Sequence, residues 1–357
     1  MKKNNLFVLL TLTIFLFSAG CVNNSISNND SENSSATLTV MTHDSFAVSE
    51  PVITKFEEQN NVKIKFLPSG DTGSALNRAI LTKDTAQADI FYGVDNTFLS
   101  RALKEDLFES YNSPLLDAIP DQFKLDPKNY LLPVDYGDVC INYDKQYFKE
   151  HNLSVPDSLE NLSDPAYKGL FVMENPATSS PGLAFMLATI SEFGEEGFLN
   201  YWKSLKDNGL VVVNDWETAY YTNFSGSSGQ GSQPMVVSYG TSPAAEVIFS
   251  DPPLEEAPTA SITAPNACFR QIEFVGIMKG TQQRQLAEKF IDFMLDGQFQ
   301  EDMPLQMFVF PVNPMAKIPE AFIKFAQIPD HPAMLDPNLI AENRELWINN
   351  WVDMVLR

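Results

Sequence analysis

The chain has 357 residues and 44% hydrophobic content, enough for a sizeable core and long enough for two domains or one bilobal unit. Asp and Glu number 46 against 24 Lys and Arg, a formal net charge of −22. With no basic run, that balance argues against nucleic acid as a partner and against electrostatic docking on anionic lipid; a cationic or zwitterionic ligand fits it better, with solubility as the competing explanation.

Met1, Lys2 and Lys3 form a positive n-region, Leu6 to Phe17 an apolar h-region, and Ser18-Ala19-Gly20 a small-residue approach to Cys21. This predicts a signal peptide over residues 1–20, because the apolar run of about 12 residues falls short of the roughly 20 a spanning helix needs. The small-small-Cys ending resembles the lipobox of prokaryotic lipoproteins, with Ser18 where Leu is usual. The resemblance implies lipidation of Cys21 and an extracytoplasmic protein held to the cell membrane by that lipid. Residues 21–36 are rich in Asn and Ser and nearly free of apolar side chains, so they are expected to be a tether. Cys140 and Cys268 remain; a disulfide and two buried thiols are both open, and metal-ligand spacing is missing.

In the body, Leu38 to Met41, Val62 to Phe66 and Ala88 to Val94 read as strands, the second by its alternation. Ser49 and Pro51 start an intervening helix, and Gly70-Asp71-Thr72-Gly73-Ser74 opens another. This β-α-β-α-β order predicts a parallel sheet with helices on its faces, whose ligand sites lie beyond the carboxyl ends of the strands. Thr42 to Ser45, Gly70 to Ser74 and Val94 to Asn96 fall there. Small residues and free amides at a helix start suit an oxyanion, although a capped turn is the favoured reading of Gly70 to Ser74, and Asp44 could face a cation or cap a turn.

Leu131 to Asp144 reads as a turn at Pro133 and Gly137 feeding a strand through Val139, Ile141 and Tyr143. The alternation then repeats. Strands are expected at Gly169 to Met173, Leu210 to Val213 and Met235 to Ser238, and Ser180 with Pro181 starts a helix carrying Leu183, Leu187 and Ile190. Trp216 and Tyr239 each stand just past a strand end, where an aromatic face can stack on a heterocycle or hold a cation; core packing is the competing reading. Phe224 to Gln233 reads as a mobile surface loop. Phe269 to Met278 is a further strand, Leu286, Phe290, Phe293 and Met294 mark a buried helix face, and Phe308 to Val312 passes near the cleft. The stripe of Trp347, Trp351, Met354 and Val355 reads as core.

The ordered set Thr42-His43-Asp44-Ser45-Phe46, Gly93-Val94-Asp95-Asn96, Pro133-Val134-Asp135-Tyr136-Gly137, Asn175 to Gly182, Trp216 to Tyr220 and Ser238 to Ala244 resembles the thiamine-binding proteins of bacterial ABC importers. Arg344 to Trp351 looks similar as well. The resemblance implies the type II periplasmic-binding-protein fold: two α/β lobes joined by hinge crossovers, with the ligand cleft between them. Lobe 1 would comprise 37–135 with 266–312, lobe 2 136–265, and a C-terminal helical segment, 313–357, would pack on both. Leu131 to Asp144 becomes the first hinge strand, with the return near Ala267 to Phe274 beside it. Cys140 and Cys268 then approach, bridgeable only within about 7 Å between Cα atoms.

By the same resemblance, Trp216 and Tyr239 would sandwich the thiamine rings, with polar contacts from Asp44, Thr72, Gly73, Ser74, Ser179 and Ser180. His43, Ser45, Asp95, Asp135, Tyr136, Tyr220, Thr241, Ser242 and Phe308 complete the candidate set. His43, Ala245 and Phe308 stand where the family usually carries Tyr, Tyr and Trp. The implied role is a solute receptor, expected to be a monomer, that delivers thiamine or its phosphates to ABC permease subunits and needs no cofactor. The alternatives are a ferric-iron receptor using Tyr220 and Tyr221 with Asp or His43, a polyamine receptor, and, more remotely, a secreted hydrolase. For the last, neither a nucleophile elbow nor paired histidines at metal spacing is found, His43, His151 and His331 being scattered.

Overall fold

The computed structural model describes residues 36–228, 230–252 and 254–357. The signal peptide, Cys21 and the tether therefore lie outside the described residues, except Ala36, which already pairs with Val62 as the first strand residue.

The elements follow the expected alternation. The first part runs β1 (Ala36–Thr42), α1 (Glu50–Asn60), β2 (Val62–Pro68), α2 (Thr72–Leu81), β3 (Ile90–Asp95), α3 (Leu99–Lys104) and β4 (Phe108–Glu109). After β5 (Leu132–Asp144) and α4 (Lys145–Glu150) come β6 (Phe171–Glu174), α5 (Ser180–Asp207), β7 (Val211–Val213), α6 (Ser225–Ser228), β8 (Met235–Tyr239), α7 (Ser242–Ile248) and β9 (Thr259–Ile262). The chain then returns through β10 (Phe269–Met278), α8 (Arg284–Leu295), α9 (Gly297–Gln306), β11 (Phe310–Pro311), α10 (Glu320–Phe325) and α11 (Pro337–Val355).

All the strands join one sheet with the path β2-β1-β3-β10-β5-β8-β6-β7, to which β4, β9 and β11 attach. Pairing is parallel within β2-β1-β3 and within β8-β6-β7 and antiparallel around β10 and β5. Two α/β halves are thus joined through a central antiparallel pair, the type II periplasmic-binding-protein arrangement.

β5 corrects the expectation of a turn followed by a strand. Pro133 and Gly137 lie inside one continuous strand, and the missing N–H of Pro133 coincides with a register shift: Glu273 pairs with Asp135 and Phe274 with Pro133, which leaves Val134 of β5 as the extra residue. A bulge absorbs what a regular ladder would reject. Beyond it, Cys140 and Cys268 form a disulfide, with Cα atoms 4.3 Å apart, closing the open alternative.

The core is continuous across the sheet, and aromatic contacts tie its helices together. Phe56 of α1 meets Phe290 of α8 edge-on at 5.1 Å, and Trp202 of α5 meets Trp351 of α11 at 5.4 Å. Trp347, Trp351 and Val355 are buried, as the stripe predicts. α5 starts one residue earlier than expected, with Ser179 as N-cap, and bends at Gly194, whose φ of +71° only glycine adopts freely. Phe224 to Gln233 is not the free loop expected. Phe224 is fully buried in a cluster with Val172, Ala219, Tyr220 and Val236, and bridges to Gln233. Among the described residues, no helix is long and apolar enough to cross a membrane.

Candidate ligand-binding site

A cavity of about 310 Å³ lies at the strand ends where the two parallel halves face each other. Its size suits a small organic molecule. One wall carries His43 and Ser45 after β1, Asp71 and Thr72 at the start of α2, and Gln271 and Glu273 from β10. The other carries Ser180 and Pro181 of α5, Trp216 and Glu217 after β7, Tyr221, and Tyr239 and Ser242 around the end of β8. Met307, Phe308 and Phe249 add an apolar rim.

The aromatic part has defined supports. The Trp216 ring stacks on Tyr220 at 4.9 Å and 16°, and its indole N–H donates to Ser238 Oγ at 3.0 Å. Tyr221 stands edge-on to Trp216 at 5.4 Å. The Tyr239 hydroxyl accepts from Gln271 Nε2 at 3.0 Å, and a Cβ at Gly137 would stand 2.8 Å from the Tyr239 ring, so glycine there makes room for it. Phe308 holds a φ of +58°, costly for a bulky side chain, and its carbonyl accepts from the Thr241 hydroxyl.

The polar floor contains more carboxylates than Arg or Lys. Tyr92 Oη lies 2.6 Å from Asp135 Oδ2 and 2.8 Å from Glu273 Oε2, and one phenolic proton cannot serve both. Asp135 supplies the second proton, since burial and then the Glu273 charge push its pKa well above the usual carboxylate range. Burial disfavours the Glu273 charge, but His43, 3.5 Å away, together with hydrogen bonds from Tyr92 and Asp135, lowers the pKa below its usual value. Burial likewise works against the His43 charge, and Glu273 reverses that to raise the imidazole pKa. The His43 ring packs over Gly93, where a Cβ would stand 2.5 Å from Cδ2. Asp71, buried against Ser179 and accepting from the Trp216 backbone N–H at 3.3 Å, is pushed up to about 6, chiefly by burial. It stays ionised at neutral pH. Asp95 is also pushed to about 6 by burial, against hydrogen bonds from Ser180 and Thr97.

Of the candidate residues, His43, Ser45, Thr72, Ser180, Trp216, Tyr239, Ser242 and Phe308 line this cavity. The others lie outside its lining. Asp44 caps a turn by accepting from Gly70 N at 2.8 Å, and Gly73 N donates to Thr178 O at 3.1 Å. Ser74 neighbours Gly70 in the same turn. Asp95, Asp135 and Ser179 are fully buried behind the wall. Tyr136 stacks between Phe123 at 4.6 Å and Phe310 at 5.4 Å. Tyr220 backs Trp216 and donates its hydroxyl to Glu246 at 2.6 Å, while Thr241 is spent on the Phe308 carbonyl.

Asp71, Glu217, Gln271 and Glu273 went unselected in the sequence. The signal existed for the last two: spaced by two in a mostly apolar strand, they put polar groups on one face.

A cavity walled by both halves of such a sheet defines the class: a solute receptor of the type II periplasmic-binding-protein fold. Residues 86–328 match the family model for bacterial extracellular solute-binding proteins, and the chain belongs to that family. It is 31% identical over 323 residues to a thiamine-binding periplasmic protein of Brucella suis, covering 88% of this chain and 91% of the relative. The corresponding Escherichia coli protein is 30% identical over 328 residues, covering 90% and 94%. A solved periplasmic thiamin binding protein superposes with a TM-score of 0.78 at 28% identity, covering 90% of this chain and 96% of the other.

Proposed function

We propose that this protein is a non-catalytic receptor that captures thiamine and hands it to an ABC permease while held to the membrane by a lipid on Cys21. The observation that carries the reading is the combination of Trp216 and Tyr239 faces with the Asp71 carboxylate, in a lining that, among the described residues, includes neither Lys nor Arg. Thiamine is a flat, singly charged cation, and a desolvated aromatic face is worth about 2 kcal/mol to such a charge. The thiamine-binding relatives named above support the same ligand.

In this reading lobe 1 is 37–135 with 266–312, lobe 2 is 136–265, and 313–357 packs on both. Closure is a hinge motion about β5 and β10, held shut by bonds across the cleft such as Gly73 N to Thr178 O and Trp216 N to Asp71. The lipobox-like Ser18 to Cys21 supports the anchor, and mass spectrometry of the N-terminal peptide from membranes tests it; an unmodified Cys21 removes that part.

The ferric alternative needs two phenolates at one point, yet Tyr220 directs its hydroxyl to Glu246 while Tyr221 lines the cavity. Calorimetry of the purified chain against thiamine, spermidine and ferric citrate decides among these ligands. Micromolar or tighter binding of thiamine alone is expected. Ferric binding with a visible charge-transfer band, or spermidine binding without thiamine, overturns the assignment.

A further inference from the structure

The floor of the cavity carries a hydrogen-bonded row laid out by β10. Gln271 and Glu273, two residues apart, put their side chains on one face of that strand, and both line the cavity. Gln271 Nε2 donates to the Tyr239 hydroxyl at 3.0 Å and to Glu273 Oε1 at 3.4 Å. The Glu273 carboxylate, kept ionised by His43, can only accept, so the amide turns its nitrogen toward it and its oxygen away. Both amide hydrogens are then used. Gln271 Oε1 is left without a hydrogen bond among the described residues, although the residue is only 1% exposed.

A buried acceptor that meets no donor costs stability, and one set in the wall of a cavity points to a ligand N–H. Other buried polar atoms in the same condition, such as Asn142 Nδ2, Glu174 Oε1 and Arg344 Nε, belong to residues outside the lining. Among the lining residues described, one more such atom stands beside Gln271. His43 Nε2 lies 3.5 Å from the same Glu273 Oε1 as an ion pair without a hydrogen bond, and Glu273 favours the imidazolium, so this nitrogen carries a hydrogen. An acceptor and a donor thus flank one carboxylate oxygen. Their complement is a ligand edge with an N–H next to a ring nitrogen, and the aminopyrimidine of thiamine has that edge. Its neutral ring suits this floor and leaves the cationic ring to Trp216 and Asp71.

We infer that Gln271 is the specificity-determining residue of the site: its Oε1 accepts from the amino group of the thiamine pyrimidine, while His43 Nε2 donates to the neighbouring ring nitrogen. This deepens the thiamine reading and rests on it. Oxythiamine has a carbonyl in place of that amino group and a hydrogen on the ring nitrogen. It sets acceptor against acceptor and donor against donor, which a site with buried polar partners rejects strongly.

The test is calorimetric titration of the full chain at pH 7.5 with thiamine, oxythiamine and pyrithiamine, the last keeping the aminopyrimidine and replacing the thiazolium by a pyridinium. Oxythiamine is expected to bind ~100-fold more weakly than thiamine, and pyrithiamine within ~10-fold of it. Oxythiamine bound within about threefold of thiamine overturns the inference and leaves the thiamine reading intact, as does pyrithiamine bound as weakly as oxythiamine; no binding of thiamine overturns both. Gln271→Met, similar in length and without the acceptor, is expected to weaken thiamine about tenfold and oxythiamine less than about threefold. An unchanged ratio of the two in the folded variant overturns the role of Gln271. Should Gln271→Met not fold, the wild-type ratios decide.

Discussion

Replacing Trp216 by Ala removes the aromatic face on which the account places the ligand ring. Three contributions are lost: about 2 kcal/mol from the ring quadrupole on a desolvated cation, about 1 kcal/mol of ring stacking, and about 1 kcal/mol from roughly 40 Å² of apolar contact at about 25 cal/mol/Å². Together, about 4 kcal/mol corresponds to a roughly thousandfold rise in Kd. Trp216→Phe keeps a smaller face, and about tenfold weakening is expected. Since Trp216 also covers Tyr220 at 4.9 Å, thermal melts of each unliganded variant separate lost binding from lost stability. Thiamine titration followed by calorimetry and by indole fluorescence reads both. A folded Trp216→Ala protein binding within threefold of wild type refutes the placement, as does an unaltered fluorescence response in Trp216→Phe.

The remaining predictions concern charge, backbone and covalent structure. Because burial raises Asp71 from 3.8 to about 6, the folded state binds more protons than the unfolded one between those values, so ionisation there costs stability as pH rises, up to about 3 kcal/mol. Asp71→Asn should therefore raise the unliganded Tm more at pH 7.5 than at pH 4, while weakening thiamine at pH 7.5 at least tenfold; equal Tm changes at both pH values contradict this. Wild-type affinity for thiamine should rise between pH 5 and 7 as the carboxylate ionises, and a flat profile would place the counter-charge elsewhere. Gly93→Ala, whose new methyl would crowd His43 and strain a φ of +104°, should destabilise the fold by about 2 kcal/mol and weaken binding with it, read by denaturant melts. Replacing Cys140 and Cys268 by Ala should cost about 2–4 kcal/mol, seen as a lower Tm than in the oxidised wild type; matching Tm values would show that the bridge does not hold β5 to β10.

What the sequence disclosed and withheld divides along physical lines. Period-two strands such as Val62 to Phe66, and helix starts such as Ser49 with Pro51, are local, and they place β2 and α1 close to where the structure has them. Phe269 to Met278 coincides with β10 for the same reason. The single length of β5 was hidden because Pro133 breaks a ladder only where the pairing stays regular, and the register shift that leaves Val134 unmatched exists only against β10, more than a hundred residues away. The Ser and Gly neighbours of Phe224 suggest a loop residue, yet the cluster that buries it includes Val172 of β6 and Val236 of β8. In the site, residues just past strand ends were legible: His43, Trp216 and Tyr239 all reach the cavity. The floor was not. Tyr92, Asp135 and Glu273 sit on three different strands, and only their convergence on one hydroxyl shows that a proton is held between two carboxylates.

The most direct measurement is a crystal structure of the protein grown with thiamine. The ligand rings are expected against Trp216 and Tyr239, with the cationic ring within about 6 Å of an aromatic centroid and facing the Asp71 carboxylate. Thiamine bound outside this cavity, or with its charged ring turned away from Asp71 and Trp216, would contradict this placement.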